Sequence, residues 1–314
     1  MKRRRVYGPV PSRRFGLSLG VDVVPPKTCC LDCLYCQVGR TTRLTCQPED
    51  FFPLEEVLAE LHQALSDGPR PDVITFAGSG EPTLYRSLGP LIQALRQETG
   101  LPVLLLTNGA LLADPRIREA ALTATLLSPS LDAPDPETFA RINLPHPSIR
   151  FEDMVEGIRS TCSEHQGTLR LEVMLVKGVN DSPAHLNRFA GLLKTFRVDT
   201  IDINTPVRPV GRSLVAPCDP QTLEAARVAL GDRAVIVGGY DGRQVGGGET
   251  EGDVRRSILS TLARRPSTLQ DLQSTLGLSG SVIEEVLCRA LQEKILESRE
   301  GKAGTYFFCR ALPE

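Results

Sequence analysis

The chain has 314 residues, 24% of them charged, and a formal net charge of −2 at pH 7. This length suits one barrel of roughly 200 to 250 residues with a small module, or two ordinary domains. The charge balance excludes a global field that would bind nucleic acid or an anionic membrane, so any such contact must be local. No apolar run approaches the roughly 20 residues that span a bilayer.

Cysteine usage and the N-terminus indicate a reducing compartment. Nine cysteines, an odd number, argue against a secreted disulfide scaffold. The first residues, MKRRRVYGP, have a charged start with no apolar core behind it. We therefore expect a cytoplasmic protein with no membrane partner.

The N-terminal segment up to residue 14 carries six basic side chains and two prolines. Its turn residues argue against a helix, and a solvated terminus is the simplest interpretation. Arg13 and Arg14 come immediately before the first predicted strand. Because a guanidinium binds phosphate and carboxylate in a fork, they are also candidates for a contact near the site.

Strands and helices then alternate along the chain. The predicted strands are residues 17–24, 72–76, 103–106, 125–131, 169–176 and 200–203, with an edge strand at 234–237. The predicted helices are residues 53–66, 88–98, 115–122, 151–164, 186–196 and 219–230. This order predicts an α/β fold with a parallel sheet and right-handed crossovers. Periodicity alone leaves both an open doubly wound sheet and a partial (β/α)6 barrel.

The C-terminal fifth of the chain has a different composition and order. Residues 238–253 are glycine-dense and without periodicity, which predicts a linker between a first domain at 1–237 and a second at 254–314. Three helices at 254–263, 268–276 and 281–291 precede two short strands within 295–308. This order, and the stretch 269–297, resemble winged-helix proteins; a small helical cap is the alternative.

The charges of this second domain argue against DNA as its partner. From Glu251 onward there are nine basic and nine acidic residues. The helix that would enter the major groove carries Glu284 and Glu285 in its first turns, where a DNA reader needs basic or amide side chains. We expect it to dock a partner, a peptide or the first domain instead.

A cysteine-rich loop follows the first predicted strand. The stretch PPKTCCLDCLYCQVG places Cys29, Cys33 and Cys36 in a C-x3-C-x2-C pattern. Structural zinc sites have four ligands, and no second cysteine or histidine pair follows. Three close thiolates suit a [4Fe–4S] cluster, in which one iron then lacks a protein ligand and is open to a substrate. A loop that is cysteine-rich by chance is the alternative.

This loop, with Tyr35 directly before its third cysteine, resembles the cluster loop of the radical S-adenosylmethionine (SAM) superfamily. Residues 7–39 resemble the opening of a group of these proteins related to wyosine-tRNA synthases. The resemblance implies a partial (β/α)6 barrel and a [4Fe–4S] cluster on the three cysteines. It also implies SAM at the open iron and a reductant such as flavodoxin or ferredoxin.

Polar residues follow each predicted strand, where barrels of this kind bind their ligands. Residues 78–81 match the glycine-rich motif that the family sets against the SAM amino group, and residues 204–209 resemble its segment beside the adenine. The residues expected to bind SAM are Tyr35, Gly78, Ser79, Gly80, Glu81, Asn108, Ser130, Asp132, Asn204 and Pro206. For Asp132, a contact to ribose or substrate competes with a helix cap.

Three further residues are candidates for catalysis. Lys177 follows the fifth strand as a possible substrate amine or Schiff-base residue, although a solvated lysine is the simpler interpretation. Arg208 is a candidate for holding an anionic substrate. Cys30 lies inside the loop but outside the ligand set, and both it and Cys46 are candidate thiols, with a buried apolar role as the alternative.

The resemblance implies reductive cleavage of SAM to a 5′-deoxyadenosyl radical that abstracts hydrogen from a small anionic molecule, a nucleoside or RNA. Wyosine synthesis itself is not expected, because Lys177 is the single candidate for a pyruvate adduct and no second cluster pattern is evident. One alternative is an activase that installs a glycyl radical in a partner protein. Another is an iron–sulfur redox regulator with a DNA-binding wing.

Overall fold

A computed structural model of the protein describes residues 4–12, 14–207, 215–237, 251–263, 266–276, 278–301 and 304–309. The strands are β1 (Val6–Ser12), β2 (Gly16–Val21), β3 (Thr28–Cys29), β4 (Arg43–Leu44), β5 (Val73–Phe76), β6 (Val103–Thr107), β7 (Leu126–Pro129), β8 (Thr168–Met174), β9 (Thr200–Asn204), β10 (Ala234–Ile236), β11 (Ser267–Thr268), β12 (Leu296–Gly301) and β13 (Gly304–Cys309). The helices are α1 (Leu54–Asp67), α2 (Leu88–Thr99), α3 (Pro115–Leu122), α4 (Pro136–Ile142), α5 (Phe151–Glu164), α6 (Pro183–Leu193), α7 (Pro220–Leu230), α8 (Glu251–Leu262), α9 (Leu269–Leu276) and α10 (Gly280–Gln292). No helix among these residues is both long and apolar enough to cross a bilayer.

The main sheet has eight strands in the order β1-β2-β5-β6-β7-β8-β9-β10. Every neighbouring pair from β2 to β10 is parallel, and β1 is antiparallel to β2. Helices lie in the crossovers between the parallel strands, as the alternating pattern predicted. The α/β class and the mostly parallel sheet are therefore confirmed.

Three local predictions need correction. The N-terminal segment forms the edge strand β1, which the sequence did not predict because it carries two prolines; an edge strand tolerates them since half of its backbone groups need no ladder partner. A short helix, α4, lies within the segment predicted as a connection, where Asp135 caps its first turn. Helix α8 begins at Glu251, inside the predicted linker, and residues 238–250 lie outside the described part of the chain.

Side chains of β8 and β9 alternate between two environments. Leu169, Leu171 and Val173 are buried against the helices, while Glu172 and Met174 face a cavity. Successive residues of a strand point to opposite faces, so the inner face of β8 is polar where its outer face is apolar. This alternation places Glu172 inside the sheet, in a cavity lined by both polar and apolar side chains.

A buried ion-pair network shows that the sheet curls. Arg14, in the turn between β1 and β2, donates from Nη1 to Glu172 Oε2 at 2.7 Å and to Asp202 Oδ2 at 2.8 Å. Three strands, β5, β6 and β7, separate β2 from β8 in the sheet order. A hydrogen bond between them requires the sheet to bend toward a partial barrel, whose floor Arg14 closes.

The C-terminal residues form a second, smaller core. Helices α8, α9 and α10 pack around Ile258, Leu272 and Ile283, each of them fully buried, against a three-stranded sheet in the order β11-β13-β12. The three helices and the hairpin predicted from the sequence are present. Their assignment as a winged helix stays a prediction. Helices α8 and α9 contact β1 of the main sheet.

Candidate functional site

The cysteine loop lies beyond the C-terminal end of β2 and is attached to the glycine-rich segment after β5. Lys27 N donates to Ser79 O at 2.6 Å, and Glu81 N donates to Thr28 O at 3.1 Å. A Cβ atom on Gly80 would lie 2.1 Å from Thr28 O. Glycine is therefore required at position 80, because the two loops approach at backbone distance.

A second segment, the exit of α4, holds the other side of the cysteine loop. Asp32 N donates to Asn143 O at 3.0 Å, Leu34 N donates to Ile142 O at 2.9 Å, and His146 N donates to Cys30 O at 2.9 Å. The cysteine loop is thus fixed between two connections that each follow a parallel strand. Nothing in the spacing of the cysteines indicated this second support.

The three motif cysteines share one partly buried environment. Cys29, Cys33 and Cys36 are all free and half-buried. Burial, followed by repulsion from Cys29, raises the pKa of the Cys33 thiol, and burial raises that of Cys36. Thiols whose ionisation is opposed in this way suit a site for a cation, since a bound metal ion reverses this effect and deprotonates its thiol ligands.

Nitrogen donors surround the sulfur atoms. Asn108 Nδ2 lies 3.4 Å from Cys29 Sγ, and Asn143 Nδ2 lies 3.4 Å from Cys33 Sγ. Amide donors stabilise thiolate, and such hydrogen bonds are a regular feature of protein-bound clusters. Among the described residues, no three Cys, His, Asp or Glu side chains converge on a single ion. Thiolates that bind separate irons do not need to converge, so the donor set fits a cluster.

Glu81 braces the loops around the cysteines. Its carboxylate is 3% exposed; Oε1 accepts from Thr83 Oγ1 at 2.7 Å and Thr107 Oγ1 at 2.6 Å, and Oε2 accepts from Asn108 N at 2.8 Å. Burial raises the pKa of Glu81, and these hydrogen bonds oppose that rise. Both oxygens are engaged within the protein, so Glu81 fixes the backbone that would face SAM.

Cys30 is a fully buried thiol beside the predicted ligands. Its sulfur lies 3.3 Å from Asn108 Nδ2 and has no exposed surface. Burial raises the pKa of this thiol well above its usual value. A catalytic role for Cys30 stays a prediction that its neutral, enclosed state does not favour.

Tyr35 and Asp132 meet at the same place. The Tyr35 hydroxyl and Asn143 Nδ2 both donate to Asp132 Oδ2, the latter at 3.2 Å, while Met174 N donates to Oδ1 at 2.8 Å. Burial raises the pKa of Asp132 to about 6. Asp132 thus ties the cysteine loop to β8; Asp135, and not Asp132, is the cap of α4.

Beyond these ties lies a cavity of about 340 Å³ inside the sheet. Ser130, Asn204 and Gly78 from the predicted SAM set line it. Ser128, 2% exposed, also lines it, and its hydroxyl has no hydrogen-bond partner among the described residues. Pro206 is buried just beyond β9. Sequence reasoning did not single out Ser128; its place two residues before Ser130, on the same face of the strand, was the available signal.

Arg14, a candidate for a contact near the site, forms the floor of this cavity. Its guanidinium neutralises Glu172 and Asp202, and Arg170 donates from Nε to the same Asp202 oxygen, Oδ2, at 2.9 Å and from Nη2 to Oδ1 at 2.5 Å. The side chain of Phe15 packs beneath both guanidinium groups. Two cations and two carboxylates make a floor of no net charge.

Two predicted catalytic residues lie away from this arrangement or outside the described chain. The side chain of Lys177 is 57% exposed and its Nζ lies 3.7 Å from Asp219 Oδ2. That setting differs from the apolar pocket that activates a lysine nucleophile. Arg208 lies outside the described residues. Cys46 is half-buried, with Ser148 Oγ at 3.5 Å from its sulfur.

Comparison with known proteins places this arrangement in a family. The family model described as the radical SAM superfamily matches residues 23–190, which include the cysteine loop and the four central strands β5, β6, β7 and β8 of the main sheet. Proteins of this family use a [4Fe–4S] cluster and SAM. A solved radical SAM methyltransferase from Sphaerobacter thermophilus shares the fold, with a TM-score of 0.55 and 21% identity over 70% of this chain and 66% of that one.

Two curated relatives extend the comparison. A protein of Brachyspira hyodysenteriae named GTPase Obg is 33% identical over 299 residues, covering 95% of this chain and 43% of the relative. This chain therefore spans less than half the length of that protein. A UPF0026 protein of Helicobacter pylori is 39% identical over 207 residues, 65% of this chain and 67% of the relative. From the family match, the chain belongs to the radical SAM superfamily.

Proposed function

We propose that this protein is an enzyme that cleaves SAM reductively and uses the resulting radical on a substrate held inside the sheet. The observation that carries the proposal is the position of the three half-buried thiols, which adjoin the Tyr35–Asp132 tie near a cavity lined by both polar and apolar side chains. When bound, the cluster and SAM supply a 5′-deoxyadenosyl radical, with one electron taken from a reductant such as flavodoxin or ferredoxin and methionine released.

Different residues of the chain would bind the cluster and SAM. Cys29, Cys33 and Cys36 would hold the cluster, and the backbone that Glu81 fixes would face the amino group of SAM. Ser130 and Asn204 line the cavity with groups that both donate and accept hydrogen bonds, which suits ribose hydroxyls or a base edge.

The charges at the floor of the cavity favour a neutral polar substrate over an anion. Arg14 is already paired with two carboxylates, so among the described residues it offers no net positive charge to an anion. The unpartnered Ser128 hydroxyl and the carboxylate of Glu172, which is 19% exposed, accept hydrogen bonds from N–H or O–H groups. A nucleoside fits these groups better than a small anionic molecule.

A glycyl-radical activase is the second candidate, and one observation favours it. Thr261 of α8 lines the cavity together with residues of the main sheet. The C-terminal unit therefore borders the cavity, where a partner protein would have to present its backbone. Coexpression with a candidate partner, followed by detection of a glycyl radical in it, tests this reading. Helix α10 does not support the alternative of a DNA-binding redox regulator, because Glu284 and Glu285 are exposed on it.

The test of the main proposal compares two cysteine variants under anaerobic conditions. Protein reconstituted with iron and sulfide is mixed with SAM and dithionite, and 5′-deoxyadenosine is measured by mass spectrometry. We expect slow cleavage by the wild type and at least a hundredfold less by Cys33→Ala, because the open cluster loses a ligand. Cys288→Ala, at an exposed cysteine of α10, is the matched control and should keep wild-type cleavage. Equal cleavage by Cys33→Ala and the wild type would refute the proposal.

A further inference from the structure

The side chain of Asn143 lies at the junction of the cysteine loop and the strand ends. It is 3% exposed, at the C-terminal end of α4. Its Nδ2 atom lies 3.4 Å from Cys33 Sγ, 3.4 Å from the Tyr35 hydroxyl and 3.2 Å from Asp132 Oδ2. No other described side chain contacts a motif cysteine, the motif tyrosine and Asp132 together.

The chemistry of these neighbours sets the orientation of the amide. A sulfur and a carboxylate oxygen are both acceptors, so the amide nitrogen, and not the oxygen, must face them. The two hydrogens of Nδ2 then serve two acceptors, Asp132 Oδ2 and Cys33 Sγ. The oxygen Oδ1 is left buried without a hydrogen-bond partner. A buried polar atom without a hydrogen bond lowers stability. The hydrogen bonds of Nδ2 therefore determine the orientation of the Asn143 amide.

The backbone of Asn143 already supports the loop without the side chain. Its carbonyl accepts from Asp32 N at 3.0 Å, and its N–H donates to Phe139 O at 3.0 Å, in the last turn of α4. A leucine at this position keeps both bonds and has the same branching and the same number of side-chain heavy atoms. The amide group is therefore separable from the structural role of the segment.

We propose that Asn143 is a positioning residue that donates a hydrogen bond to the Cys33 sulfur and thereby raises the reduction potential of the cluster bound there. The inference rests on the proposed function, in which Cys33 is a cluster ligand. An N–H group directed at a thiolate withdraws electron density and stabilises the more negative, reduced state. The same amide group also donates a hydrogen bond to Asp132. It therefore links the proposed cluster site to the wall of the cavity.

The test measures the potential of the reconstituted cluster by a redox titration followed by electron paramagnetic resonance. We expect Asn143→Leu to load iron as the wild type does and to show a midpoint potential shifted to lower values. Ile142→Val, at the neighbouring residue, disturbs the packing of the same helix end but leaves the amide in place. It should keep the wild-type potential.

Asn143→Asp provides a second variant of the same shape that lacks the amide hydrogens, and it should also lower the potential. An unchanged midpoint potential in either variant at full iron content would overturn the inference. So would failure of both variants to load iron while Ile142→Val loads it, because the side chain would then be structural. Absence of a cluster in the wild type would instead count against the proposed function itself.

Discussion

Two asparagine side chains direct hydrogen-bond donors at the sulfur atoms of the motif cysteines. Asn108 and Asn143 come from two different strand-end connections, and each directs its amide nitrogen at a sulfur 3.4 Å away. Burial alone would hold these thiols protonated, as the raised pKa of Cys33 shows. The hydrogen bond from Asn143 opposes the effect of burial on Cys33, because it favours the charged form of the thiol.

A buried histidine gives a prediction at this scale. His165, after α5, is 1% exposed, and burial lowers its pKa below the usual 6.5. The unfolded chain then binds a proton that the folded chain refuses, so stability is full above about pH 6.5 and falls as the pH decreases from there. We expect chemical denaturation of His165→Gln to show a weaker loss of stability between pH 7 and pH 5 than the wild type.

The matched control for this variant is His62→Gln, at a histidine on the surface of α1 whose side chain is 52% exposed. It should keep the acid sensitivity of the wild type. The same slope of stability against pH in His165→Gln and in the wild type would contradict the assignment of His165 as a buried neutral group.

At the scale of elements, the turn between β1 and β2 matters because it spans the inside of the sheet. Arg14 reaches Glu172 in β8 and Asp202 in β9, and Asp202 has no exposed surface. The two strands are neighbours in the sheet, with Glu172 opposite Asp202. Without a cation at the turn, two carboxylates on adjacent strands would face each other with Arg170 as their remaining partner.

Removing this cation should therefore destabilise the protein. We expect Arg14→Met to lower the free energy of unfolding by about 1–3 kcal/mol, the usual result of leaving buried polar groups unpaired. Denaturant titration measures it. Arg40→Met, at an arginine that is 84% exposed and lies 3.7 Å from Asp32, should change stability by less than about 0.5 kcal/mol. Equal effects of the two substitutions would show that the network contributes no more than a surface pair.

At the scale of the whole molecule, two hydrophobic cores are present, one within the main sheet and its helices and one around α8, α9 and α10. They are joined by packing of α8 and α9 on β1 and by a bond of 3.3 Å from the Tyr306 hydroxyl to Val207 O. The strand β1 is thus a shared element, which packs on β2 on one side and meets the C-terminal unit on the other.

Separate cores predict separate unfolding. Leu272→Ala, at a fully buried residue of the second core, should destabilise that unit by about 2–5 kcal/mol. In a calorimetric scan we expect it to lower one transition while the other stays in place. Leu171→Ala, in the first core, should have the reverse effect. A single transition that both substitutions move equally would mean that the two cores unfold as one unit.

The sequence by itself determined the chemistry and the order of elements. The spacing of Cys29, Cys33 and Cys36 and a glycine-rich turn one strand later are local patterns, and local spacing is enough to predict a ligand set. Alternation of strands and helices is also local, so the parallel sheet and the edge strand β10 were predictable. The edge strand β1 was not, because its prolines conceal a pairing that only β2 provides.

Tertiary structure alone decided which residues surround that chemistry. Asn143 lies 110 positions from Cys33 along the chain, and Arg14 lies 188 positions from Asp202. No periodicity links such positions, since their contact depends on how strand ends converge and on how far the sheet curls. The neutral floor, the unpartnered Ser128 and the amide on Cys33 therefore appear only when the chain is folded.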